Sequence, residues 1–317
     1  MISKIEYIES QLCSKIDELE IFPKYINIET KNVCNARCVM CAIDFDSRPS
    51  VTMKDEVFNK ITDELKKWSM HIEKVNLYLD NEPLLDRSLH LKIKSLKAIG
   101  IKKVAIASNA SALTIKRCEE IVDAGLDEIY IALDSTDKKV YESIRVGLSF
   151  DRTILNIRNL IAVRKRMRGN TVIRLQMIDQ CQEPSDIEKL KEWGYDNLGA
   201  GDQIVLHKLH NWGNLCETVK KPEDDNDNVN DYPCTILWSN LMIHADGRVA
   251  LCTNDIEIES EYSLGNVVYE SLNEIWHGNV LTDMRRRHLG VGRSQHLLCD
   301  GCTSYRESNN IFKIMIP

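Results

Sequence analysis

The chain has 317 residues and a formal net charge of −7, and 43% of its residues are hydrophobic while 28% are charged. This balance is ordinary for a soluble globular protein, and an acidic chain is a poor candidate for a nucleic-acid partner. No apolar run is long enough for a transmembrane helix, and residues 1–20 lack the apolar centre of a signal peptide, so we expect no membrane association. Eleven cysteines in a chain expected to be cytoplasmic favour metal binding over disulfides.

Residues 3–20 carry apolar side chains near helical spacing and predict one amphipathic helix. Strand-like and helix-like segments then alternate six times. Strands are predicted over 25–30, 74–79, 103–107, 128–133, 171–177 and 203–209, and helices over 53–69, 87–99, 112–124, 137–145, 151–168 and 185–193. Such alternation predicts parallel strands joined by right-handed crossovers. Six units fill roughly 190 residues and a closed eight-unit barrel needs about 250, so we expect an α/β fold with an open, partial (β/α)6 barrel.

Three cysteines lie close together after the first predicted strand. Cys34, Cys38 and Cys41 have the spacing C-x3-C-x2-C, and the next cysteine is Cys118. Thiolates bind soft metals and iron–sulfur clusters, whereas a structural zinc site needs four ligands. A cubane cluster held by three thiolates leaves one iron open to a substrate or cofactor. The pattern therefore favours a catalytic cluster over buried structural cysteines.

This motif, on a loop that follows the first strand, resembles the signature of the radical S-adenosylmethionine (radical SAM) superfamily. The resemblance implies that Cys34, Cys38 and Cys41 hold a [4Fe–4S] cluster whose open iron binds S-adenosylmethionine. It also implies an external electron donor such as flavodoxin or ferredoxin. The donated electron would split the cofactor into methionine and a 5′-deoxyadenosyl radical, which abstracts a hydrogen atom from the substrate.

Polar residues near the ends of successive strands are predicted to surround this cofactor. Asp80-Asn81-Glu82-Pro83 resembles the Gly-Gly-Glu-Pro motif of the superfamily, with both glycines replaced, which implies that Glu82 belongs to the cofactor site. Asn109 and Ser135 follow the third and fourth strands and resemble cofactor or substrate contacts. Arg145 resembles an arginine that pairs with the cofactor carboxylate, a task that suits a bidentate guanidinium.

Two further residues are candidates for contact with the reacting substrate. Arg174 shares one face of the fifth strand with Gln176, and we expect that face to point into the barrel. Cys181 follows the same strand and is the best-placed thiol for returning a hydrogen atom to a substrate radical. Lys208, at the end of the sixth strand, could bind an anionic group.

An acidic, asparagine-rich segment divides the chain. Residues 217–231 show no periodicity and predict an exposed linker between a core domain over 1–216 and a smaller domain over 232–317. In the smaller domain, Asp246-Gly247 lies between two apolar runs and predicts a β-hairpin. Ser271-Leu272-Asn273-Glu274 matches a capping box and predicts the start of a helix.

The smaller domain contains four cysteines that could form one metal site: Cys234, Cys252, Cys299 and Cys302. On ligand chemistry alone the set suits either zinc or a [4Fe–4S] cluster. Its arrangement around a hairpin, with a final C-x2-C pair, resembles the twitch and SPASM extensions of radical SAM enzymes. The resemblance implies an auxiliary [4Fe–4S] cluster. Because four thiolates would close that cluster, we expect it to transfer electrons rather than to bind substrate.

The resemblance implies hydrogen-atom abstraction, and the auxiliary cluster indicates what could follow. Transfer of an electron to that cluster would complete a two-electron oxidation. The single-cluster architecture resembles the 2-deoxy-scyllo-inosamine dehydrogenases, so we expect an oxidoreductase acting on a small sugar- or cyclitol-like alcohol. An epimerase with a cysteine hydrogen donor and a peptide-modifying enzyme stay open as alternatives. A non-enzymatic zinc-binding protein is least favoured.

Overall fold

The computed structural model describes residues 3–45, 47–179, 184–213, 232–256, 262–294, 296–304 and 312–316. The predicted linker over 217–231 lies outside them. The strands in chain order are β1 Tyr25–Ile28, β2 Arg37–Cys38, β3 Lys74–Asn76, β4 Val104–Ser108, β5 Glu128–Ala132, β6 Arg145–Val146, β7 Val172–Asp179, β8 Gln203–Lys208, β9 Asn240–Ile243, β10 Arg248–Ala250, β11 Gly265–Asn266 and β12 Phe312–Met315. The α-helices are α1 Lys4–Leu12, α2 Ile16–Ile21, α3 Asp55–Trp68, α4 Leu89–Ala98, α5 Ile115–Asp123, α6 Lys138–Ile144, α7 Phe150–Met167, α8 Pro184–Asn197, α9 Leu272–Trp276 and α10 Asn279–Leu289.

Six parallel strands form the centre of the molecule, in the order β1-β3-β4-β5-β7-β8. Helices α3 to α8 connect them, so the prediction of an α/β fold with a six-strand partial barrel is confirmed. The helices place one apolar face on the sheet; in α3, for example, the buried side chains include Phe58, Ile61 and Leu65, spaced three and four residues apart. Because the strands are parallel, their carboxyl ends meet at one edge, where barrel enzymes place their chemistry.

The hairpin of the smaller domain continues the same sheet. Strand β9 pairs in parallel with β1, and β10 and β11 follow in antiparallel pairing. At the opposite edge, β12 pairs antiparallel with β8. The predicted hairpin and the capping box of Ser271 and Glu274 are both confirmed. Because β9 runs in the same direction as β1, the hairpin turn lies beside the carboxyl ends of the barrel strands.

The single N-terminal helix predicted over 3–20 is wrong in one respect, because the segment forms two helices. Helix α1 ends at Leu12, its C-cap residue Cys13 has a left-handed φ of 50°, and α2 begins at Ile16. The Glu9 carboxylate accepts a hydrogen bond from the Ile16 backbone N–H at 3.0 Å and pairs with Lys15 at 2.7 Å. These contacts stabilise a turn that helical periodicity alone does not reveal. No helix in the described ranges is both long and apolar enough to span a membrane.

Candidate functional site

The loop of the three cysteines begins where β1 ends, at the carboxyl edge of the sheet. Strand β2, which contains Cys38, pairs antiparallel with β6, so Cys38 lies opposite Arg145. Gly147, next to β6, has a φ of +91°, and a Cβ there would lie 3.5 Å from the Asn35 carbonyl oxygen. The distance is an ordinary contact, so it is the left-handed backbone conformation that favours glycine here. The pairing holds the cysteine loop over the open end of the barrel.

The three thiols of this loop are partly buried. Burial raises the pKa of the Cys34 thiol and raises the pKa of the Cys41 thiol to about 12. These thiols would therefore be protonated at neutral pH without a positively charged partner, and bound metal supplies one.

Glu82 lies beside the start of this loop and is 2% exposed. Its carboxylate accepts hydrogen bonds from the Asn109 backbone N–H at 2.7 Å and from the Ser108 hydroxyl at 2.8 Å. Its own N–H donates to the Val33 carbonyl at 2.9 Å, which joins the Asp80–Pro83 segment to the cysteine loop. Burial raises the pKa of Glu82 to about 7, and the hydrogen bonds only partly oppose that effect. A cationic amino group placed beside this carboxyl would favour its ionised form.

Asn109 and Ser135 occupy different parts of this edge. The Asn109 amide nitrogen lies 3.0 Å from the Asn35 side-chain oxygen and 3.9 Å from the Cys34 sulfur, so it contacts the cysteine loop directly. Ser135 is fully buried, and its hydroxyl accepts a hydrogen bond from the Asp137 N–H at 3.0 Å, at the turn that starts α6. Cofactor contacts of both residues stay predictions, and for Ser135 the observed contact is structural.

Arg145 joins the cysteine loop to the barrel. Its guanidinium forms a short ion pair with the buried Asp134 and lies 3.5 Å from the Cys38 sulfur through Nη1. Asp134 also accepts the Ile178 N–H at 2.9 Å, so this carboxylate ties β5 to β7. Arg145 is therefore held beside a predicted cluster ligand, as an arginine that contacts the cofactor would need to be.

Arg174, one of the two residues predicted to contact the substrate, is not brought to this edge. Arg174 pairs with Glu128 at 3.0 Å, and Glu128 begins β5 and also pairs with Lys74 and Lys103. Because these residues lie toward the amino ends of the strands, the position of Arg174 favours a structural ion pair instead of a substrate contact. Cys181 lies outside the residues that the structure describes.

The second cysteine set surrounds one small cavity, lined by Cys234, Cys252, Cys299 and Cys302. Burial raises the pKa of Cys252 and of Cys299, and the neighbouring thiols add to the effect. The Asn254 amide nitrogen lies 3.5 Å from the Cys302 sulfur, while the Cys234 N–H donates to His288 Nδ1 at 3.2 Å. Burial lowers the pKa of His288 to about 3, so the imidazole stays neutral. Four thiols around one cavity, one buried and three partly buried, with an N–H donor directed at a sulfur suit a closed iron–sulfur cluster.

A cavity of about 760 Å³ lies inside the barrel and reaches both cysteine sites, since Arg145 and Cys234 both line it. Most of its lining is neutral and polar or aromatic: Gln11, Tyr25, Asn27, Asn76, Tyr78, Tyr130, Gln176, His207, His210, Trp212, Thr235, Ser239, Asn240, Thr253 and Ser304. Sequence reasoning found few of these residues. The available signal was the asparagine and tyrosine residues within otherwise apolar strands such as Tyr25–Ile28.

A buried ionic network at the same edge was also missed. Arg48, which follows the cysteine loop, binds both carboxylate oxygens of Glu29 at 3.1 Å and makes a short contact with His244 Nδ1. Asp80 lies 3.8 Å from Arg48, and His244 lies 3.4 Å from Glu29. Glu29 follows β1, Asp80 follows β3 and His244 follows β9, so the network connects the barrel to the hairpin. The one signal in the sequence was the carboxylate of Glu29 within an apolar strand region.

Family models match the two parts of the chain that contain the cysteine sets. The family model of the radical SAM superfamily matches residues 28–175, and that of the SPASM iron–sulfur cluster-binding domain matches residues 234–303. Cys34, Cys38 and Cys41 fall in the first match, and the other four cysteines fall in the second. S-adenosylmethionine, a [4Fe–4S] cluster that binds it and an auxiliary cluster are therefore the cofactors of this chain.

Comparison with individual proteins gives relatives of several activities. A GTP 3′,8-cyclase of Limosilactobacillus fermentum is 29% identical over 163 residues, which are 50% of this chain and 48% of the cyclase. The chain thus spans about half the length of that relative. The solved structure of BtrN in complex with AdoMet and 2-DOIA has a TM-score of 0.61 at 17% identity and covers 89% of this chain and 93% of BtrN. SuiB of Streptococcus suis bound to its precursor peptide SuiA has a TM-score of 0.68 at 14% identity, covering 95% of this chain and 74% of SuiB. At these identities the structural likeness shows the fold alone.

Proposed function

Since the chain is a radical SAM enzyme with a SPASM domain, we propose that it oxidises an alcohol of a small sugar- or cyclitol-like molecule to a carbonyl. The observation that carries this proposal is the cavity of about 760 Å³ between the two cysteine sites. Ligand pockets for small molecules commonly measure about 300–1,000 Å³. The cavity therefore has the size for one sugar-sized substrate together with part of the cofactor.

The chemistry of the lining supports a polyhydroxylated substrate. Amides such as Asn27, Asn76 and Gln176 both donate and accept hydrogen bonds, and hydroxyl groups do the same. Tyr78 and Trp212 add flat apolar surfaces on which a ring can pack. Such a combination binds many neutral hydroxyl groups at once without requiring a charged partner.

The same lining disfavours a nucleoside triphosphate, the substrate class in the name of the cyclase relative. Lys208 and Arg145 are the described basic side chains of the lining apart from histidine, and Arg145 is the residue predicted to hold the cofactor carboxylate. Asp80 adds a negative charge. A triphosphate needs several cationic or backbone N–H donors, and one lysine cannot neutralise it.

A peptide substrate is the alternative suggested by the name of the SuiB complex. The end of α1 and the turn after it, through Gln11, Leu12 and Cys13, line one side of the cavity. That lining favours a compact substrate over a long one.

Epimerisation by a cysteine donor depends on Cys181 or another thiol, and the described lining supplies only Cys13 and the predicted cluster ligand Cys234.

In the proposed mechanism the residues of the chain bind and orient the cofactor and the substrate. S-adenosylmethionine and its cluster, held by Cys34, Cys38 and Cys41, would supply the radical, and the auxiliary cluster would supply an electron acceptor. Glu82 would hold the cofactor amino group, and Arg145 would hold its carboxylate. We further propose flavodoxin or ferredoxin as electron donor, a cytoplasmic location, and a division between the core and smaller domains at residues 217–231.

The test is product analysis with cluster-loaded protein under anaerobic conditions. The protein is incubated with S-adenosylmethionine, reductant and a panel of cyclitols and aminocyclitols that includes 2-deoxy-scyllo-inosamine. We expect one member to give a ketone and 5′-deoxyadenosine in equal amounts. Solvent deuterium fixed at a substrate carbon in D2O, with no carbonyl formed, would reject the dehydrogenase in favour of an epimerase.

A further inference from the structure

We propose that His207 is the base that accepts the substrate hydroxyl proton during this oxidation, an inference that rests on the proposed function. The reaction breaks one C–H and one O–H bond and forms a C=O bond. S-adenosylmethionine and its cluster would supply the radical that takes the hydrogen atom, and the proton goes to His207. The auxiliary cluster would supply the acceptor for the remaining electron, which completes the two-electron balance.

His207 lies at the place that such a base must occupy. It is near the carboxyl end of β8, where its register partner on β7 is Ile178, and both residues line the cavity. The same cavity is lined by Arg145 on the side of the first cysteine site and by Cys234 on the side of the second. A substrate between the two sites is therefore within reach of the imidazole.

The imidazole ring is oriented by a neighbour on β7. The side-chain nitrogen of Gln176 lies 2.9 Å from His207 Nε2. A glutamine amide can present either its nitrogen or its oxygen to a neighbour. When the oxygen accepts the Nε2–H of the ring, Nδ1 carries the lone pair that a general base requires.

The electrostatic surroundings keep His207 neutral before the reaction. Burial lowers the pKa of His207, and Lys313 on β12 lowers it further, while Asp134 acts in the opposite direction. His210 and the exposed Lys208 are the other titratable groups near it on its own segment. A neutral imidazole has a free lone pair and can accept a proton at neutral pH.

The other histidine of the cavity is less suited to this task. His210 Nδ1 accepts the Ser304 hydroxyl at 3.0 Å and the Trp212 N–H at 3.2 Å. Burial lowers the pKa of His210 to about 4, which makes it a weak base. Its contacts connect the end of the barrel to the smaller domain and indicate a structural role.

The remaining titratable side chains of the cavity wall are also poor candidates. Burial raises the pKa of Tyr130, whose hydroxyl donates to Glu128. Asp80 belongs to the buried network with Arg48. Lys208 is exposed, whereas His207 is partly buried in the cavity wall.

The test compares His207→Gln with a matched His277→Gln variant, because His277 is exposed and lies outside the cavity lining. With 2-deoxy-scyllo-inosamine or the panel member that the wild type oxidises, we expect His207→Gln to lower ketone formation by about 10²–10⁴-fold. Substrate-free cleavage of S-adenosylmethionine should stay unchanged in both variants. In the wild type, kcat/KM should fall as the pH drops below the pKa of His207. This acid limb of the pH profile should be absent in His207→Gln.

A second variant gives a readout that a structural role would not change. Gln176→Glu places a carboxylate beside the ring and should move the acid limb to higher pH, because an anion stabilises the imidazolium. Equal ketone formation by His207→Gln and the wild type, or an acid limb unmoved in Gln176→Glu, would overturn the assignment while leaving the oxidation intact. If the wild type forms no ketone from any panel member, the proposed function is wrong and the assignment falls with it.

Discussion

Replacement of Arg48 by methionine should destabilise the protein strongly, because it leaves a buried carboxylate without its partner. The Arg48 and Glu29 side chains are 4% and 0% exposed, and both oxygens of Glu29 are bound at 3.1 Å. Burial raises the pKa of Glu29, but His244 and Arg48 together lower it below its usual value. The folded protein therefore holds an ionised Glu29 that depends on its cationic neighbours.

The size of the effect follows from that burial. Removal of one partner of a buried ion pair costs about 3–5 kcal/mol. At about 2.1 cal/mol/K per residue, unfolding of a chain of this length carries an entropy of roughly 0.67 kcal/mol/K, so we expect Tm to fall by about 4–8 °C. The exposed pair of Lys94 and Asp123 is the matched control, since its side chains are 50% and 62% exposed. Lys94→Met should cost less than about 1 kcal/mol, or less than about 1.5 °C.

The assay is thermal unfolding of the cluster-loaded variants under anaerobic conditions at one scan rate. The double variant Glu29→Gln/Arg48→Met removes both charges and should recover most of the lost Tm, because the glutamine oxygen can still accept the Ala245 N–H that Glu29 accepts at 3.0 Å. An Arg48→Met shift no larger than that of Lys94→Met would refute the reasoning. A double variant as unstable as the single one would show that packing and not charge causes the loss.

Three further outcomes are expected. Cluster-loaded wild type should contain about eight irons per chain. The Cys299→Ala variant should contain about four and still cleave S-adenosylmethionine, whereas the Cys38→Ala variant should lose that cleavage. Iron analysis and 5′-deoxyadenosine assays check this, and cleavage by Cys38→Ala would contradict the site. The pKa of Glu82 is raised to about 7, so in cluster-free protein its contribution to stability is fully present below about pH 4.5 and is lost as the pH rises to 7, by about 3 kcal/mol. Urea denaturation at pH 5 and pH 8 should show this loss in the wild type and not in Glu82→Gln, and parallel pH dependences would refute it. Asn254→Leu removes an N–H donor 3.5 Å from the Cys302 sulfur and should lower the potential of the auxiliary cluster in an EPR-monitored titration, whereas an unchanged potential would exclude that hydrogen bond.

The amino-acid sequence by itself determined the parts of this protein that depend on neighbours along the chain. The spacing of Cys34, Cys38 and Cys41 is a property of one loop, and the apolar periodicity of each helix and strand is a property of one segment. The alternation of these segments was enough to predict six parallel strands, because few topologies can bury such faces. The capping box at Ser271 was equally local and was confirmed.

Only the tertiary structure decided which distant residues meet at the carboxyl edge. Arg48, Glu29 and His244 are brought together because β9 pairs with β1 across more than 200 residues of chain, and no local pattern encodes that pairing. Arg174 shows the limit of a local pattern. Period-two alternation placed it on the same face of the strand as Gln176 but could not show that Glu128 would bind it. Spacing along a segment fixes which side chains share a face, whereas the partner of a buried charge depends on which strands lie side by side.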